Sequence, residues 1–247
     1  MPSDPLSLAG LAALVLFAAV LYSSVGHAGA SAYLAALSLY GVAPAQSKPI
    51  ALVLNVLVAV VGTARFAAAG LVPWRLLGFF CAGSIPAAFL GGLIELPTRA
   101  HRVLLGLVLL FAAVRLWWRA SRPVELRPPP APAVLVGLGA VLGLLAGLTG
   151  VGGGIFLSPL LILLRWEDVR RTAGASVTFI LANSIAGLAG HFAAGRGIPH
   201  GTWLLAPVVL VGGAFGSWLG ARRLPSLALR RLLGVVLGVA SVKLLAD

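Results

Sequence analysis

Long apolar runs, each closed by a short polar link, repeat from one end of this chain to the other. Leu6 to Tyr22, Ile50 to Ala69, Leu76 to Ile94, Val103 to Val114, Val134 to Leu148, Val177 to Phe192 and Leu204 to Leu219 hold almost no charged side chain. About 20 mostly apolar residues carry a helix across a bilayer, and several of these runs reach that length with their flanks. The pattern predicts an all-α polytopic membrane protein. The first run lacks a basic n-region and is followed by many equivalent segments, so it reads as a crossing and not as a signal peptide.

The runs form two sets. The stretch Arg119 to Pro132, RASRPVELRPPPAP, is the most polar, and its three consecutive prolines cannot continue a helix. It separates a first membrane repeat, 1–118, from a second, 133–247, with 119–132 as the linker. VGHAGAS at 25–31 holds the same place as GVGGG at 150–154, and RFAAAG at 65–70 matches HFAAG at 191–195. VPWRLL at 72–77 then pairs with GTWLL at 201–205, and GSIPAAFLGG at 83–92 with GGAFGSWLGA at 212–221. Basic clusters at Arg99 to Arg102 and at Arg230 to Arg231 each introduce a final apolar run. Matches in the same order throughout indicate internal duplication.

Each half predicts five helical pieces: 6–24, 29–40, 49–69, 73–94 and 101–118, then 133–148, 153–164, 172–194, 202–221 and 228–245. The second piece is short in both halves. A run of 12 residues reaches about 18 Å, less than the roughly 30 Å of hydrocarbon, so it is half of a discontinuous helix or a re-entrant segment. The glycines before it supply the unwound turn.

Only 10% of the residues are charged, against roughly 25% in a soluble chain, which leaves too little polar material for a water-facing surface. The net charge of +12 comes mostly from the links, where it is a topology signal and not a nucleic-acid footprint. With an odd number of side changes per half, twelve basic residues share one side: Arg75, Arg115, Arg119, Arg122, Arg127, Arg165, Arg170, Arg171, Arg222, Arg223, Arg230 and Arg231. Five fall on the other: Lys48, Arg99, Arg102, Arg196 and Lys243. That bias predicts a cytoplasmic linker and external termini. It also makes the halves two inverted-topology repeats. The single cysteine, Cys81, excludes an intrachain disulfide and a CxxC metal site.

At GVGGG with Ser158 and Pro159, then Asn183 and HFAAG, the sequence resembles the TauE/SafE family of membrane proteins, often described as sulfite exporters. The likeness covers essentially the whole chain. It implies a secondary transporter, an exporter, of sulfite, another sulfur oxyanion or an organosulfonate across the bacterial inner membrane. The first half departs from the glycine pattern, with His27, Ala28 and Ala30 where the second has Val151, Gly152 and Gly154.

The candidate binding residues follow from chemistry that a small anion needs. Gly150, Gly152, Gly153 and Gly154 expose backbone N–H groups at a helix start, where the positive helix end also attracts negative charge. Gly26 and Gly29 are the first-half counterpart; close packing of small residues is the competing role for both sets. Asn55 and Asn183 lie in long apolar segments and each requires a partner on another helix, on unwound backbone or on a ligand. Ser31, Thr149, Ser158, Ser176 and Thr178 are weaker candidates, since a membrane hydroxyl often bonds its own preceding turn. Arg65 and His191 occupy matching places near helix ends, where Arg65 attracts an anion or snorkels and His191 donates a hydrogen bond or takes a proton. His27 sits at the first glycine turn. Lys48 and Pro49 mark a helix entrance.

No Asp or Glu lies deep in a predicted crossing, which favours an anionic solute over a cation path. No metal or cofactor is expected. The partners expected are a small anion and the lipid bilayer; a homodimer is compatible with the chain, though nothing in it calls for one. A membrane enzyme acting on a lipid headgroup is the alternative of another class, but HExxH, GxSxG and acidic metal clusters are lacking. A non-transporting assembly protein, whose glycines only pack helices, is the third.

Overall fold

The computed structural model describes residues 4–42, 44–94 and 125–222, with isolated positions between 97 and 114 and between 235 and 246. The described elements are helices: α1 (Pro5–Ser24), α2 (Ala30–Leu39), α3 (Pro44–Ala68), α4 (Trp74–Leu93), α5 (Pro132–Thr149), α6 (Gly154–Leu163), α7 (Val169–Ala193) and α8 (Thr202–Arg222). Among the described residues six of them, all but α2 and α6, are long and apolar enough to cross a membrane. Leu6, Phe17, Val211 and Leu204 are largely exposed on the outer surface, as lipid-facing side chains are. The chain is an all-α polytopic membrane protein. The predicted helices at 101–118 and 228–245 lie outside the described residues except for single helical positions, two of which meet: Ser241 Oγ donates to Gly106 O at 2.8 Å.

Local chemistry sets the ends. Asp4 caps α1 by accepting from Ser7 N at 2.9 Å, and Asp168 caps α7 by accepting from Arg170 N and Arg171 N at 2.7 and 3.0 Å. Pro132 opens α5, where a missing N–H costs nothing. The matched motifs at 65–70 and 191–195 close α3 and α7 with the same turn: Gly70 N bonds Ala67 O and Gly195 N bonds Phe192 O, both at 2.9 Å and both with left-handed glycine. One expectation is corrected here. Lys48 and Pro49 do not mark a helix entrance, because α3 already starts at Pro44 and carries Pro49 inside it. At the sixth residue of α3 Pro49 lacks the N–H that would bond back into the first turn, and the helix continues past it.

Most helix contacts have a counterpart when the first four helices are exchanged for the last four, although α1 meets α2 more closely than α5 meets α6. Thus α1 packs on α8 as α5 packs on α4, and α3 meets α8 as α7 meets α4. Glycines set the closest approaches. Gly139, Gly143 and Gly147 of α5 lie on the backbone of Phe80, Ser84 and Ala88, so α4 and α5 run in the same direction. Gly212, Gly216 and Gly220 of α8 lie likewise on Leu16, Val20 and Ser24 of α1. A side chain at most of these glycines would enter the neighbour's backbone. The two central helices run oppositely: Gly62 of α3 faces Val177 of α7, while Leu52 of α3 faces Gly187. Gly62 and Gly187 stand equally far from their helix starts, as do Leu52 and Val177, so the two contacts are copies of each other.

Because α3 and α7 are antiparallel, their first turns lie at opposite ends of the bundle. Gly150 touches Lys48 near the start of α3, whereas Ser158 of α6 bonds Ser176 in the first half of α7. Gly26 touches Ala173 near the start of α7, and the chain then returns through α2 to the start of α3. Each glycine break therefore works in series with its short helix. A non-helical turn rich in left-handed glycine, followed by a helix of 10 residues that is itself about 15 Å long, carries the chain back between the ends.

Candidate functional site

The two breaks lie in the interior against α3 and α7, and their polar groups are arranged differently. In the first, Gly26 and Gly29 are left-handed. His27 between them is buried, with Nδ1 at 3.2 Å from Val25 O and Nε2 at 3.4 Å from Ser158 Oγ. The ring thus joins the Val25 carbonyl of the first break to the Ser158 hydroxyl of α6, and it also meets the Gly154 backbone. Ser158 in turn lies 2.5 Å from Ser176 Oγ, which completes a chain of contacts linking α7, α6 and the first break. Beside it Ser31 Oγ donates to the Tyr22 hydroxyl at 3.1 Å, Tyr33 donates to Ala28 O at 2.5 Å, and the Tyr22 ring meets His27 edge-on.

In the second break Gly150, Gly152 and Gly153 are all left-handed, with φ of 74, 79 and 82°. That run turns the chain out of α5 and into α6, and no other residue type adopts it without strain. Thr149 Oγ1 lies 3.5 Å from Ala146 O and accepts from Val151 N at 3.4 Å. No side chain caps α6, so the first N–H groups of that helix, from Gly154 and Ile155, have no partner within it. Asn55, reaching over from α3, donates through Nδ2 to Val151 O at 3.3 Å. Ser184 of α7 closes the same spot: a Cβ on Gly152 would come within 2.8 Å of Ser184 Oγ and 3.0 Å of Asn55 Nδ2. Asn55 Oδ1 and Ser184 Oγ are fully buried and have no hydrogen-bond partner.

The remaining candidates are scattered. Asn183 is buried; its Nδ2 bonds Phe179 O of its own helix at 2.8 Å, and its Oδ1, like that of Asn55, has no hydrogen-bond partner. Thr178 does the same with Gly174 O at 2.9 Å. Arg65 is exposed on α3, and His191 is buried near the end of α7 with Nε2 at 3.2 Å from Gly197 O. The position that corresponds to Asn55, counted from the helix starts, is Ile180, so the two asparagines are not a symmetric pair. Tyr22, Tyr33 and Ser184 were not among the sequence candidates. The signal for the tyrosines was present, since two of only three in the chain flank the first break.

At the end where α3 and α7 finish and start, the Arg171–Glu167 ion pair spans 3.4 Å, and burial raises the Glu167 carboxyl above its usual range while Arg171 opposes the shift. The linker joins this end, with Arg127 N donating to Arg165 O at 2.8 Å. At the opposite end Lys48 Nζ and Arg196 Nη2 lie 3.4 Å from Ile94 O and Leu93 O, the closing carbonyls of α4. A groove between α4 and α7, lined by Ile85, Pro86, Phe89, Leu90, Ala186 and Ala189, is wholly apolar and suits lipid chains, not a polar solute.

The sequence matches the family model described as Sulfite exporter TauE/SafE over residues 11–244. It is 40% identical over 243 residues to the probable membrane transporter protein y4hK of Sinorhizobium fredii, covering 96% of this chain and 97% of that one. It is 33% identical over 89 residues to the probable membrane transporter protein YunE of Bacillus subtilis, covering 36% of this chain and 31% of that protein. No solved structure matches the chain at a significant level.

Proposed function

This chain belongs to the TauE/SafE family of membrane transporters, and on that premise we propose that it is a secondary transporter of a small anion. Sulfite, another sulfur oxyanion or an organosulfonate is the solute class. The observation that carries the anion reading is the uncapped, buried start of α6 behind three left-handed glycines. There free backbone donors and the positive helix end meet inside a bundle whose described acidic residues, Asp4, Glu125, Glu167 and Asp168, lie outside its helices.

In this reading the halves are inverted repeats that rock about the two breaks. The antiparallel α3–α7 contact and the exchange symmetry of the helix pairs support it, because copies related by an axis in the membrane plane point opposite ways. The linker end is cytoplasmic and the chain starts outside. Arg75, Arg127, Arg165, Arg170, Arg171 and Arg222 gather at that end, against Lys48 and Arg196 at the other. The membrane is the bacterial inner membrane.

Purified protein in vesicles, offered sulfite, thiosulfate, an organosulfonate and chloride with and without a pH gradient, tests this. Saturable flux of a sulfur anion is expected, and Gly153→Leu is expected to abolish it, since a Cβ there would already lie 2.9 Å from the Phe179 ring. Normal kinetics in that variant would overturn the site. Absence of any anion flux in the native protein would overturn the function.

A further inference from the structure

We propose that His27 takes up a proton as the anion binds, so that each anion crosses the membrane with a proton. The buried ring stands where the two breaks meet. It belongs to the first, between Gly26 and Gly29, and it hydrogen-bonds the backbone of Gly154, the first residue of α6, whose opening N–H groups form the anion site proposed above. Nδ1 lies 3.2 Å from Val25 O and Nε2 3.4 Å from Ser158 Oγ, so an oxygen faces each ring nitrogen. A neutral imidazole has one hydrogen for these two oxygens; the imidazolium has one for each. Val25 O only accepts, and the Ser158 hydroxyl accepts from Nε2 when it donates to Ser176 Oγ, 2.5 Å away. A second proton on the ring therefore finds an acceptor with no side chain leaving its place.

What the surroundings do not supply is a countercharge. Tyr22 of α1 meets the ring edge-on and Tyr33 of α2 bonds the adjacent Ala28 carbonyl, while α6 and α7 face it with the hydroxyls of Ser158 and Ser176. The ionisable groups of α7 on this side, Glu167, Asp168, Arg170 and Arg171, stand at the head of the helix, more than a turn before Ser176, and Arg65 of α3 is exposed. Burying a charge without a partner is costly, so the ring stays neutral until a negative partner arrives. An anion at the start of α6 is that partner, held at the helix end whose first residue the ring touches. Each charge offsets the cost of burying the other, and by linkage each raises the affinity for the other by the same factor. The proton adds to the ring nitrogen that lacks one and leaves with the anion on the far side; no bond of the chain breaks. Val151 holds the corresponding place in the second half, so a second such proton has no seat there.

This coupling rests on the transport reading above, and the two fail differently. The test places the purified full-length protein in vesicles with a trapped pH dye and the membrane potential clamped at zero. Thiosulfate, methanesulfonate or sulfite is offered, and anion uptake is measured on the same samples. Thiosulfate and methanesulfonate do not titrate near neutral pH, so acidification that accompanies their uptake reports protons moved by the protein. About one proton per anion is expected, and an inward proton gradient should concentrate the anion inside. For sulfite, which carries protons of its own, the difference between native protein and His27→Gln is the reading. His27→Gln retains hydrogen-bonding groups but cannot titrate; downhill flux should persist while the protons moved per anion fall about tenfold or more. His200→Gln, at an exposed turn, should change neither. Native flux without protons, or proton movement that His27→Gln leaves intact, would overturn the role of His27 and spare the anion reading. Absence of flux with all three anions would sink both.

Discussion

The two glycine breaks occupy equivalent places, each before a helix of 10 residues, and their polar groups differ. In the first, His27, Ser31, Tyr22, Tyr33, Ser158 and Ser176 hydrogen-bond one another or nearby carbonyls, and Gly26 sits against the backbone of Ala173. In the second, the place equivalent to Ala173 is Lys48, whose flexible stem meets Gly150, and buried oxygens of Asn55 and Ser184 are left over. The first break is tied to α6 and α7 by a chain of side-chain bonds, although Ser23 Oγ and Thr172 Oγ1 near it are also buried without a partner; the second has no such chain between its side chains. Stability should therefore concentrate at the first break and transport at the second.

The sharpest way to break this comparison is to put the same side chain into both. Gly26→Ala forces a left-handed alanine and drives its Cβ into the Ala173 carbonyl, which cannot yield, so a loss of more than about 3 kcal/mol and little recoverable protein are expected. Gly150→Ala carries the same handedness strain of about 1–2 kcal/mol. Its Cβ meets only Lys48 Cγ at 2.8 Å, which can swing aside. Detergent-solubilised yield and SDS-unfolding midpoints read the difference, and equal losses would show that the breaks are equally rigid.

A smaller effect sharpens it. Ser158→Ala cuts the chain between Ser176 and His27 and leaves both ends buried, which should cost about 1–3 kcal/mol. Ser184→Ala removes a hydroxyl that bonds nothing, so its stability should stay within about 0.5 kcal/mol of the native protein, or rise. Transport should follow the opposite order, surviving per folded molecule in Ser158→Ala and falling in Ser184→Ala. Unfolding curves and vesicle flux on the same preparations decide it.

How much of this was legible depends on how far apart in the chain the partners stand. Apolar run length, Pro132, and the glycines at 26, 29 and 150–153 announced the crossings and the breaks, because a helix start, a helix stop and a left-handed turn are local events. The matched closing turns at Gly70 and Gly195 were equally plain. Asn55 was legible as a residue in need of a partner, but the partner, Val151, lies 96 positions away, and nothing local distinguishes it from Asn183, which turned to its own helix. Ser184 carries no local signal, since only the fold sets it beside Gly152. The start of α3 at Pro44 was also a local signal, a proline at the first helical position as at Pro132, and Lys48 and Pro49 were read as the entrance instead.

The smallest predicted effect concerns the surface on which the first break rests. Asp168 caps α7 through Arg170 N and Arg171 N, and Ala173, the seat of Gly26, lies in the next turn. Asp168→Ala removes an acceptor from two otherwise orphaned donors and should cost about 1 kcal/mol. The fraying is confined to the first turn of α7, more than two turns before Ser184. Amide exchange should therefore quicken at Val25–Ala28 and at the head of α7, while Val151–Gly154 keeps its native rate. Equal acceleration at both breaks would show that α7 transmits the disturbance along its length, and that the two breaks open as one unit.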